Sequence, residues 1–368
     1  MKDDFYVYVG TYTETILFGT GEVYEGKGEG IYVFRMNPDS GNLRPHYLID
    51  GVRNPSFLTF NSSENVLYAV NELKKFRNER TGTVSAIRVD SAGAEYDFIN
   101  KRSTRGTDPC YVNTTEEDRY SVVANYGTGS VSVFSIEEDE ALGELVEFIQ
   151  HSGSGTDPER QEGPHAHSVY FDSEERYAYV PDLGLDELRV YEFLSDGGEL
   201  DYLGDKSFET DPGAGPRHLA LHPEGKFLYL INELDSTIVA LSFDESSGLK
   251  KIQKVPATPV DFKGKNGCAE VKISPSGRYL YGSNRGHDSI VIYEIDPATG
   301  KLEYVAHEST RGRTPRHFTI DPTGRFLLVA NRDSDDLIVF EIERETGELE
   351  FSGEVVKVPT PVCVELIG

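Results

Sequence analysis

Histidine, arginine and glutamate side chains recur in this chain at the ends of short, alternating apolar segments. The motif PHAHS contains His165 and His167, GPRH contains Arg217 and His218, and INE ends in Glu233. Histidine transfers protons near neutral pH, and arginine binds carboxylates and phosphates through paired hydrogen bonds. Such groups side by side suit proton transfer on an anionic molecule.

Later segments carry side chains of the same types at equivalent places. The full set of candidates is His165, His167, Arg217, His218, Glu233, Glu270, Arg285, His287, Arg316 and His317. Five of the nine histidines in the chain belong to this set. If these residues meet, they predict an off-centre pocket that binds an anion and transfers protons.

The elements that must position these residues are short β-strands, and Gly215–Asp244 shows them most clearly. Phe227, Tyr229 and Ile231 stand two apart, which is the period of a strand with one buried face. His222–Gly225 separates two such apolar runs and is typical of a tight turn. The stretch predicts three consecutive antiparallel strands.

The same pattern recurs along the chain. In six copies, thirteen positions separate the leading apolar residue of the first strand from the polar residue that closes the second. These pairs are Leu58–Asn71, Val112–Asn125, Val169–Asp182, Leu219–Asn232, Val271–Asn284 and Phe318–Asn331. A seventh copy is divided between the two chain ends.

Repeats of about fifty residues with four strands each are typical of β-propellers. We therefore expect an all-β, seven-bladed β-propeller that forms one domain over residues 1–368. The divided copy predicts that the N-terminal strand (5–12) pairs with the C-terminal strand (361–368) and closes the ring.

Hairpin geometry predicts where the candidates lie. The first strand of each copy leaves one face of the ring and the second strand returns to it, so residues before the first and after the second are neighbours. If the first strand is innermost, all ten candidates surround the mouth of the central channel.

Each candidate also has a structural interpretation. Arg217 with Glu233 could be an ion pair between strands, and His218 and His317 could be packing residues repeated with the fold. The PHAHS histidines with Glu233 could ligate a metal ion, but neighbouring arginines would repel it. We expect no metal and no cofactor.

Two further segments stand out. Thr13–Gly30 is a Gly- and Glu-rich insertion, either a surface loop or a lid over the site face, and His151–Ser168 is a long polar loop of the kind that carries function. Arg332 and Asp335 resemble a solvated turn pair, and we place them outside the site.

Composition excludes several classes of partner. The formal net charge is −27 and no basic stripe is present, so nucleic acid is not expected. No apolar run approaches the roughly 18 residues of a membrane helix, and no basic, apolar leader is visible. Three cysteines without metal-ligand spacing predict buried thiols and a cytoplasmic protein. A closed ring needs no partner to fold, so we expect a monomer or a weak homo-oligomer.

The motifs PRHLALHPEGKFLYLINE, RQEGPHAHSV and YVGTYT resemble the propeller-type lactonase family over essentially the whole chain. That family includes bacterial 6-phosphogluconolactonases and fungal carboxy-cis,cis-muconate cyclases. The resemblance implies seven blades and no required metal. It also implies that His165 or His167, together with Glu233, Arg217 and, by a looser match, Arg285, acts on the substrate.

Opening a lactone requires a base that activates water and a cation that stabilises the oxyanion. Glu233 or a PHAHS histidine could be the base, and a carboxylate beside Arg217 would stay ionised, which favours a histidine as the group titrating near neutrality. Arg217 and Arg285 could hold the oxyanion or a carboxylate, and Arg316 could clamp a phosphate.

The expected substrate is a small anionic lactone, and the resemblance implies 6-phosphogluconolactone, hydrolysed to 6-phosphogluconate in the pentose phosphate pathway. Substrate-binding roles are expected for His218, Glu270, His287, Arg316 and His317. A lactonising cyclase acting on an unsaturated dicarboxylate is an alternative that the same residues satisfy. A non-enzymatic propeller that binds proteins is another, although it would favour exposed aromatic anchors over this His/Arg/Glu-rich mouth.

Overall fold

Seven antiparallel β-sheets surround a central channel in a computed structural model that describes residues 4–18 and 21–368. The strands that begin in the first half of the chain are β1 (Phe5–Thr11), β2 (Ile16–Leu17), β3 (Val23–Tyr24), β4 (Gly30–Met36), β5 (Leu43–Asp50), β6 (Leu58–Phe60), β7 (Val66–Asn71), β8 (Thr83–Asp90), β9 (Glu95–Ser103), β10 (Pro109–Thr114), β11 (Tyr120–Asn125), β12 (Ser130–Ile136), β13 (Leu142–Gln150), β14 (Tyr170–Phe171) and β15 (Tyr177–Asp182). The remaining strands are β16 (Glu187–Leu194), β17 (Glu199–Tyr202), β18 (Phe208–Glu209), β19 (Pro216–Leu221), β20 (Phe227–Asn232), β21 (Thr237–Asp244), β22 (Gly248–Pro256), β23 (Gly267–Ile273), β24 (Tyr279–Arg285), β25 (Ser289–Ile295), β26 (Leu302–Ser309), β27 (Pro315–Ile320), β28 (Phe326–Asn331), β29 (Asp336–Ile342), β30 (Leu349–Lys357) and β31 (Pro361–Ile367).

Each sheet is one blade, and in blades 2 to 7 the four main strands follow in sequence order from the channel outwards. Blade 1 has the order β31-β1-β4-β5, and blades 2 and 3 are β6 to β9 and β10 to β13. Blade 4 is β14 to β17 with β18 also paired to β16, and blades 5, 6 and 7 are β19 to β22, β23 to β26 and β27 to β30. First strands of neighbouring blades contact one another around the channel, so the first strand is innermost, as expected.

The ring is closed by the two ends of the chain. β1 pairs antiparallel with β31, so that Tyr6 lies opposite Ile367 and Val9 lies opposite Val364. This pairing completes blade 1 and joins the two chain ends within one sheet, which closes the propeller ring. The seven-bladed fold and its closure are confirmed.

Tyrosines on the second strands lock neighbouring blades together. Tyr68 on β7 donates a hydrogen bond to a carbonyl of blade 3, Tyr229 on β20 to one of blade 6, and Tyr281 on β24 to one of blade 7. All three rings are buried. A buried tyrosine needs a partner for its hydroxyl, and the outer turn of the next blade supplies it.

All three cysteines are buried and unpaired, as expected for structural thiols. Burial raises the pKa of Cys268 to about 12, so this thiol stays protonated. Within residues 4–18 and 21–368, no helix is long and apolar enough to cross a membrane.

Candidate active site

A cavity of about 770 Å³ opens on the face where the second strands end. Hairpin geometry predicts this position, and the volume lies in the range of small-molecule sites. Half of the ten candidates line it, namely His165, His167, Glu233, Arg285 and Arg316.

Glu233, the residue after β20, is held by three arginines. Its Oε1 lies 2.7 Å from Arg160 Nη2, and its Oε2 lies 3.0 Å from Arg217 Nε and 2.7 Å from Arg285 Nη2. Burial alone would raise the pKa of Glu233, but these guanidinium groups hold it well below its usual range. Glu233 is therefore ionised at neutral pH and aligns three cations, which makes it a poor proton acceptor.

Arg217 lies beneath Glu233 and is not part of the cavity lining. It is buried on β19, and its Nη1 donates a hydrogen bond of 2.6 Å to the carbonyl oxygen of Ala269 in blade 6. The predicted ion pair with Glu233 is present. Arg217 therefore acts on the cavity by holding the Glu233 carboxylate in place.

Arg316, on β27 of blade 7, supplies a further cation to the cavity lining. Its Nη2 lies 3.8 Å from Glu72 Oε2, and its guanidinium lies over the Tyr12 ring at 5.5 Å. Tyr12 donates its hydroxyl to Glu72 Oε2 at 3.1 Å. Arg316 is thus more loosely paired than the arginines around Glu233, and it retains donors for a ligand.

Our assignment of Arg332 to a solvated turn is wrong. A 3₁₀ turn at Arg332–Ser334 follows β28, and Arg332 is only 7% exposed and lines the cavity. Its Nε donates to Asp333 Oδ1 at 2.6 Å. The acidic residues around it suggested a surface pair, but Asp335 binds Lys27 instead, at 2.6 Å.

The described part of the insertion Thr13–Gly30 packs against the site. β2 and β3 form a hairpin, and Leu17, Phe18 and Glu22 line the cavity. The Arg332 guanidinium lies 4.9 Å from the ring centroid of Phe18 and 4.3 Å from that of Tyr24. Residues 19 and 20 of this insertion lie outside the described residues. The hairpin forms one wall of the cavity, which favours the lid interpretation over a free loop.

The long loop before β14 contributes Arg160, which we did not predict. Arg160 Nη2 donates to Glu233 and lies 3.3 Å from the hydroxyl of Tyr126. Gln161 fixes this part of the loop by donating to the carbonyl of Leu183 and to Asp186 Oδ1. The length and polarity of this loop predicted a functional role for it, but they did not identify Arg160.

His165 has a defined orientation. Its Nδ1 lies 2.8 Å from the carbonyl oxygen of Tyr126, which can only accept, so Nδ1 carries a proton. Its Nε2 lies 3.4 Å from Glu162 Oε2, and its ring stacks on Tyr126 at 4.4 Å. Because the Glu162 side chain is 61% exposed, it can move aside and leave Nε2 to a substrate.

His167 is buried to about the same extent as His165, with 5% of its surface exposed. Its Nδ1 lies 3.7 Å from Cys110 Sγ, and its ring crosses that of His218 at 5.2 Å. Burial, followed by the charges of Arg217 and His218, lowers the pKa of His167 well below 6.5. His167 is therefore neutral at physiological pH and does not fit the expectation of a PHAHS histidine titrating near neutrality.

His218, Glu270 and His317 form a buried cluster in the channel rather than in the cavity lining. Glu270 Oε2 lies 3.0 Å from His218 Nδ1 and 2.9 Å from His317 Nε2. Burial lowers the pKa of His218 to about 3 despite the adjacent Glu270 carboxylate. Burial would raise the pKa of Glu270, but the two histidines and Lys272 hold it well below its usual range.

His317 of this cluster also belongs to a group with the residue types of a metal site. His317, Cys363 and Glu365 bring ligand atoms within 4.8 Å of one another. However, the backbone N–H of Val364 donates to His317 Nδ1, so the ring proton lies on Nε2, the nitrogen that a metal would need. Metal-binding histidines normally donate from the second nitrogen, and these residues therefore do not fit a metal ion.

His287 lies away from the cavity lining. Its Nδ1 lies 2.7 Å from Ser289 Oγ, and its ring contacts Phe262 and His307 at centroid distances of 4.8 and 5.7 Å.

Fold and site together define a seven-bladed propeller with an arginine-rich pocket that holds an ionised glutamate and oriented histidines. Residues 6–366 match the family described as "Lactonase, 7-bladed beta-propeller", and the chain belongs to this family.

Several relatives resemble the chain over most or all of its length. A 6-phosphogluconolactonase of Bacillus subtilis is 36% identical over 361 residues, which are 98% of this chain and 97% of that protein. A 6-phosphogluconolactonase of Formosa agariphila is 32% identical, covering 80% of this chain and 82% of the relative. The structure of a periplasmic gluconolactonase of Pseudomonas aeruginosa superposes with a TM-score of 0.91 at 32% identity, covering 100% of this chain and 99% of that chain.

Proposed function

We propose that the protein is a lactonase that hydrolyses a sugar lactone, with 6-phosphogluconolactone as its substrate and 6-phosphogluconate as the product. The observation that carries this proposal is the cavity itself, in which Glu233 aligns Arg160 and Arg285 while His165 presents a fixed imidazole. Two relatives named 6-phosphogluconolactonase support the substrate.

His165 is the best-oriented base for water. Its Nδ1–H is held by the Tyr126 carbonyl, so Nε2 accepts the proton as water attacks the lactone carbonyl carbon. Glu162, 3.4 Å from Nε2, stabilises the imidazolium that forms. His167, buried and neutral, can orient the same water without adding charge.

Arg285 is the cation that we propose for the oxyanion. It lies beside Glu233 and lines the cavity, whereas Arg217 acts from below by holding that carboxylate. Cations fixed before the reaction stabilise developing negative charge without reorganisation. Burial lowers the pKa of Arg285 to about 10, so the guanidinium keeps its charge at neutral pH.

Arg316 and Arg332 are the side chains proposed to bind the phosphate. Both line the cavity, and Arg316 is paired only loosely, with 3.8 Å to Glu72. Guanidinium groups bind phosphate oxygens in pairs, and Lys74, Arg80 and Lys265 add positive charge to the lining. The lining carries seven basic and six acidic side chains, so it is far less acidic than the chain as a whole and can admit an anion despite the net charge of −27.

The test is hydrolysis of 6-phosphoglucono-δ-lactone and of glucono-δ-lactone, each corrected for spontaneous opening. We expect rapid turnover of the phosphorylated lactone and a fall in kcat/KM of about 100-fold in His165→Asn. Arg316→Gln should raise KM for the phosphorylated lactone and leave KM for glucono-δ-lactone nearly unchanged.

Two outcomes would contradict parts of this proposal. Turnover of glucono-δ-lactone alone would remove the phosphate from the substrate and match the specificity in the name of the Pseudomonas relative. No acceleration of either lactone would overturn the sugar-lactonase proposal, and product analysis with an unsaturated dicarboxylate would then test cyclase activity. A phosphorylated substrate implies a cytoplasmic protein, in contrast to that periplasmic relative.

A further inference from the structure

The residue before four of the repeat prolines occupies a distinctive backbone position. Asn54, Asp108, Thr314 and Thr360 all have φ between 40° and 60°, and each precedes a proline at or near the start of a first strand. A non-glycine residue rarely adopts this left-handed conformation. The conformation belongs to the fold, because it recurs in four blades.

The side chains at three of these positions tie down a neighbouring loop. Asn54 Oδ1 accepts hydrogen bonds from the N–H groups of residues 13 and 14, at 2.8 and 3.0 Å. Thr314 donates its hydroxyl to Asp333 Oδ2 at 2.5 Å, and Thr360 donates to the carbonyl of Tyr12 at 2.7 Å. In these blades the side chain has a structural role.

Asp108 differs, because its carboxyl group makes no hydrogen bond to any described residue. Its nearest ionic partner is Lys74, with Nζ 4.0 Å from Oδ2, and its side chain is 15% exposed and lines the cavity. Gly127 leaves room for the carboxyl group, since a Cβ there would lie 2.3 Å from Asp108 Oδ2. The fold thus places a carboxyl group without a hydrogen bond to any described residue in the lining of the proposed substrate cavity.

Tyr126 connects Asp108 to His165. Its backbone N–H donates to the carbonyl of Asp108 at 3.0 Å, and its own carbonyl holds His165 Nδ1 at 2.8 Å. One residue therefore fixes the backbone of the carboxyl-bearing residue and the ring of the proposed base.

Lactone opening also needs a group that protonates the departing ring oxygen, and we propose that Asp108 is this general acid. The inference rests on the proposed function. His165 Nε2 takes a proton from water as the new C–O bond forms. The ring C–O bond then breaks, and Asp108 gives its proton to the alkoxide, which becomes a hydroxyl group.

The new carboxylic acid returns its proton to Asp108, and His165 releases its proton to solvent. In total, one lactone and one water molecule give one hydroxy-carboxylate and one proton. No further reactant is needed.

The electrostatics around Asp108 suit an acid that works near neutral pH. Burial, followed by the charge of Glu72, raises the pKa of Asp108 to about 7, while Lys74 and Arg80 act in the opposite direction. An acid with its pKa near the working pH both donates and recovers a proton readily.

The experiment compares Asp108→Asn with the wild-type protein on whichever of the two lactones the wild type hydrolyses. Asparagine tolerates the left-handed conformation, so the fold should survive. We expect kcat to fall about 100-fold with little change in KM. Because Asp108 must be protonated to act, the wild-type rate should fall as pH rises through about 7, and the variant should lose this decline.

Asp118→Asn is the matched control, because Asp118 is also left-handed (φ 53) but lies in the turn between β10 and β11. It should keep the wild-type rate and pH profile. Wild-type kcat and an unchanged alkaline decline in Asp108→Asn would overturn this inference and leave the lactonase proposal standing. An inactive wild type would overturn both.

Discussion

Arg285 in blade 6 lies 2.7 Å from Glu233 Oε2 in blade 5. The other oxygen of the same carboxylate binds Arg160, from the loop that leads into blade 4. A single carboxylate therefore joins three parts of the ring at the floor of the cavity. It keeps mutually repelling cations in place before any ligand arrives.

Replacing Glu233 should consequently destabilise the protein as well as inactivate it. Glu233→Gln removes the counter-charge and leaves buried guanidinium groups unpaired. Breaking a buried ion pair from one side costs about 3–5 kcal/mol. We expect a loss of this size in the free energy of unfolding, measured by urea denaturation at pH 7.

Glu294→Gln is the control for this prediction. Glu294 binds Arg278 at 2.9 Å, and both side chains are more than 40% exposed. Exposed pairs contribute about 0–1 kcal/mol, so this variant should unfold almost like the wild type. Equal losses in the two variants would show that the Glu233 contacts do not stabilise the fold.

The fold could be predicted because its determinants are local and repeated. Alternating apolar residues such as Phe227, Tyr229 and Ile231 define each strand, and the constant spacing between strands defines the blade. Closure of the ring could be predicted because each chain end carries only part of a repeat. The pairing of Tyr6 with Ile367 confirms this prediction.

The site could be predicted only to the level of a face and its residue types. Arg160 and Arg332 were missed because their positions depend on the paths of loops. The acidic sequence neighbours of Arg332 suggested a solvent-exposed turn instead. His218 and His317 were placed at the mouth because hairpin register gives a height along the channel only roughly. Their burial below the cavity depends on three-dimensional packing.

The β2–β3 hairpin should control substrate affinity. Phe18→Ala removes one of two rings that flank Arg332, a cation–π contact of about 0.5–1 kcal/mol at a partly exposed site. We expect KM for the lactone to rise a few-fold and kcat to stay nearly constant. Steady-state kinetics measures both.

Phe98→Ala serves as the control, since Phe98 is a 46% exposed phenylalanine on the outer strand of blade 2. It should leave KM unchanged. A wild-type KM in Phe18→Ala would argue that the hairpin does not contribute to binding.

His218 should make the protein less stable in mild acid. Its pKa is about 3 in the folded protein because of burial, against about 6.5 in an unfolded chain. Between these values the unfolded state binds a proton that the folded state excludes, so stability falls as pH drops below about 6.5. His167, also lowered by burial, acts in the same direction.

His218→Gln should therefore flatten the dependence of the free energy of unfolding on pH between 6.5 and 5. One excluded proton contributes up to about 1.4 kcal/mol per pH unit. Urea midpoints at these two pH values measure the slope, and Glu294→Gln should retain the wild-type slope. An unchanged slope in His218→Gln would mean that His218 takes up its proton in the folded state.

The contact between blades 1 and 2 should tolerate no side chain at Gly10. A Cβ on Gly10 would lie 2.2 Å from the carbonyl oxygen of Pro55, a backbone atom that cannot rotate away. Gly10→Ala must therefore separate the closing strand β1 from the start of blade 2, and overpacking of this kind costs about 1–3 kcal/mol. Gly163→Ala is the matched control, because a Cβ there meets nothing within 4 Å. Urea denaturation should show a loss only in Gly10→Ala, and equal stability of the two variants would mean that the ring widens at this contact without cost.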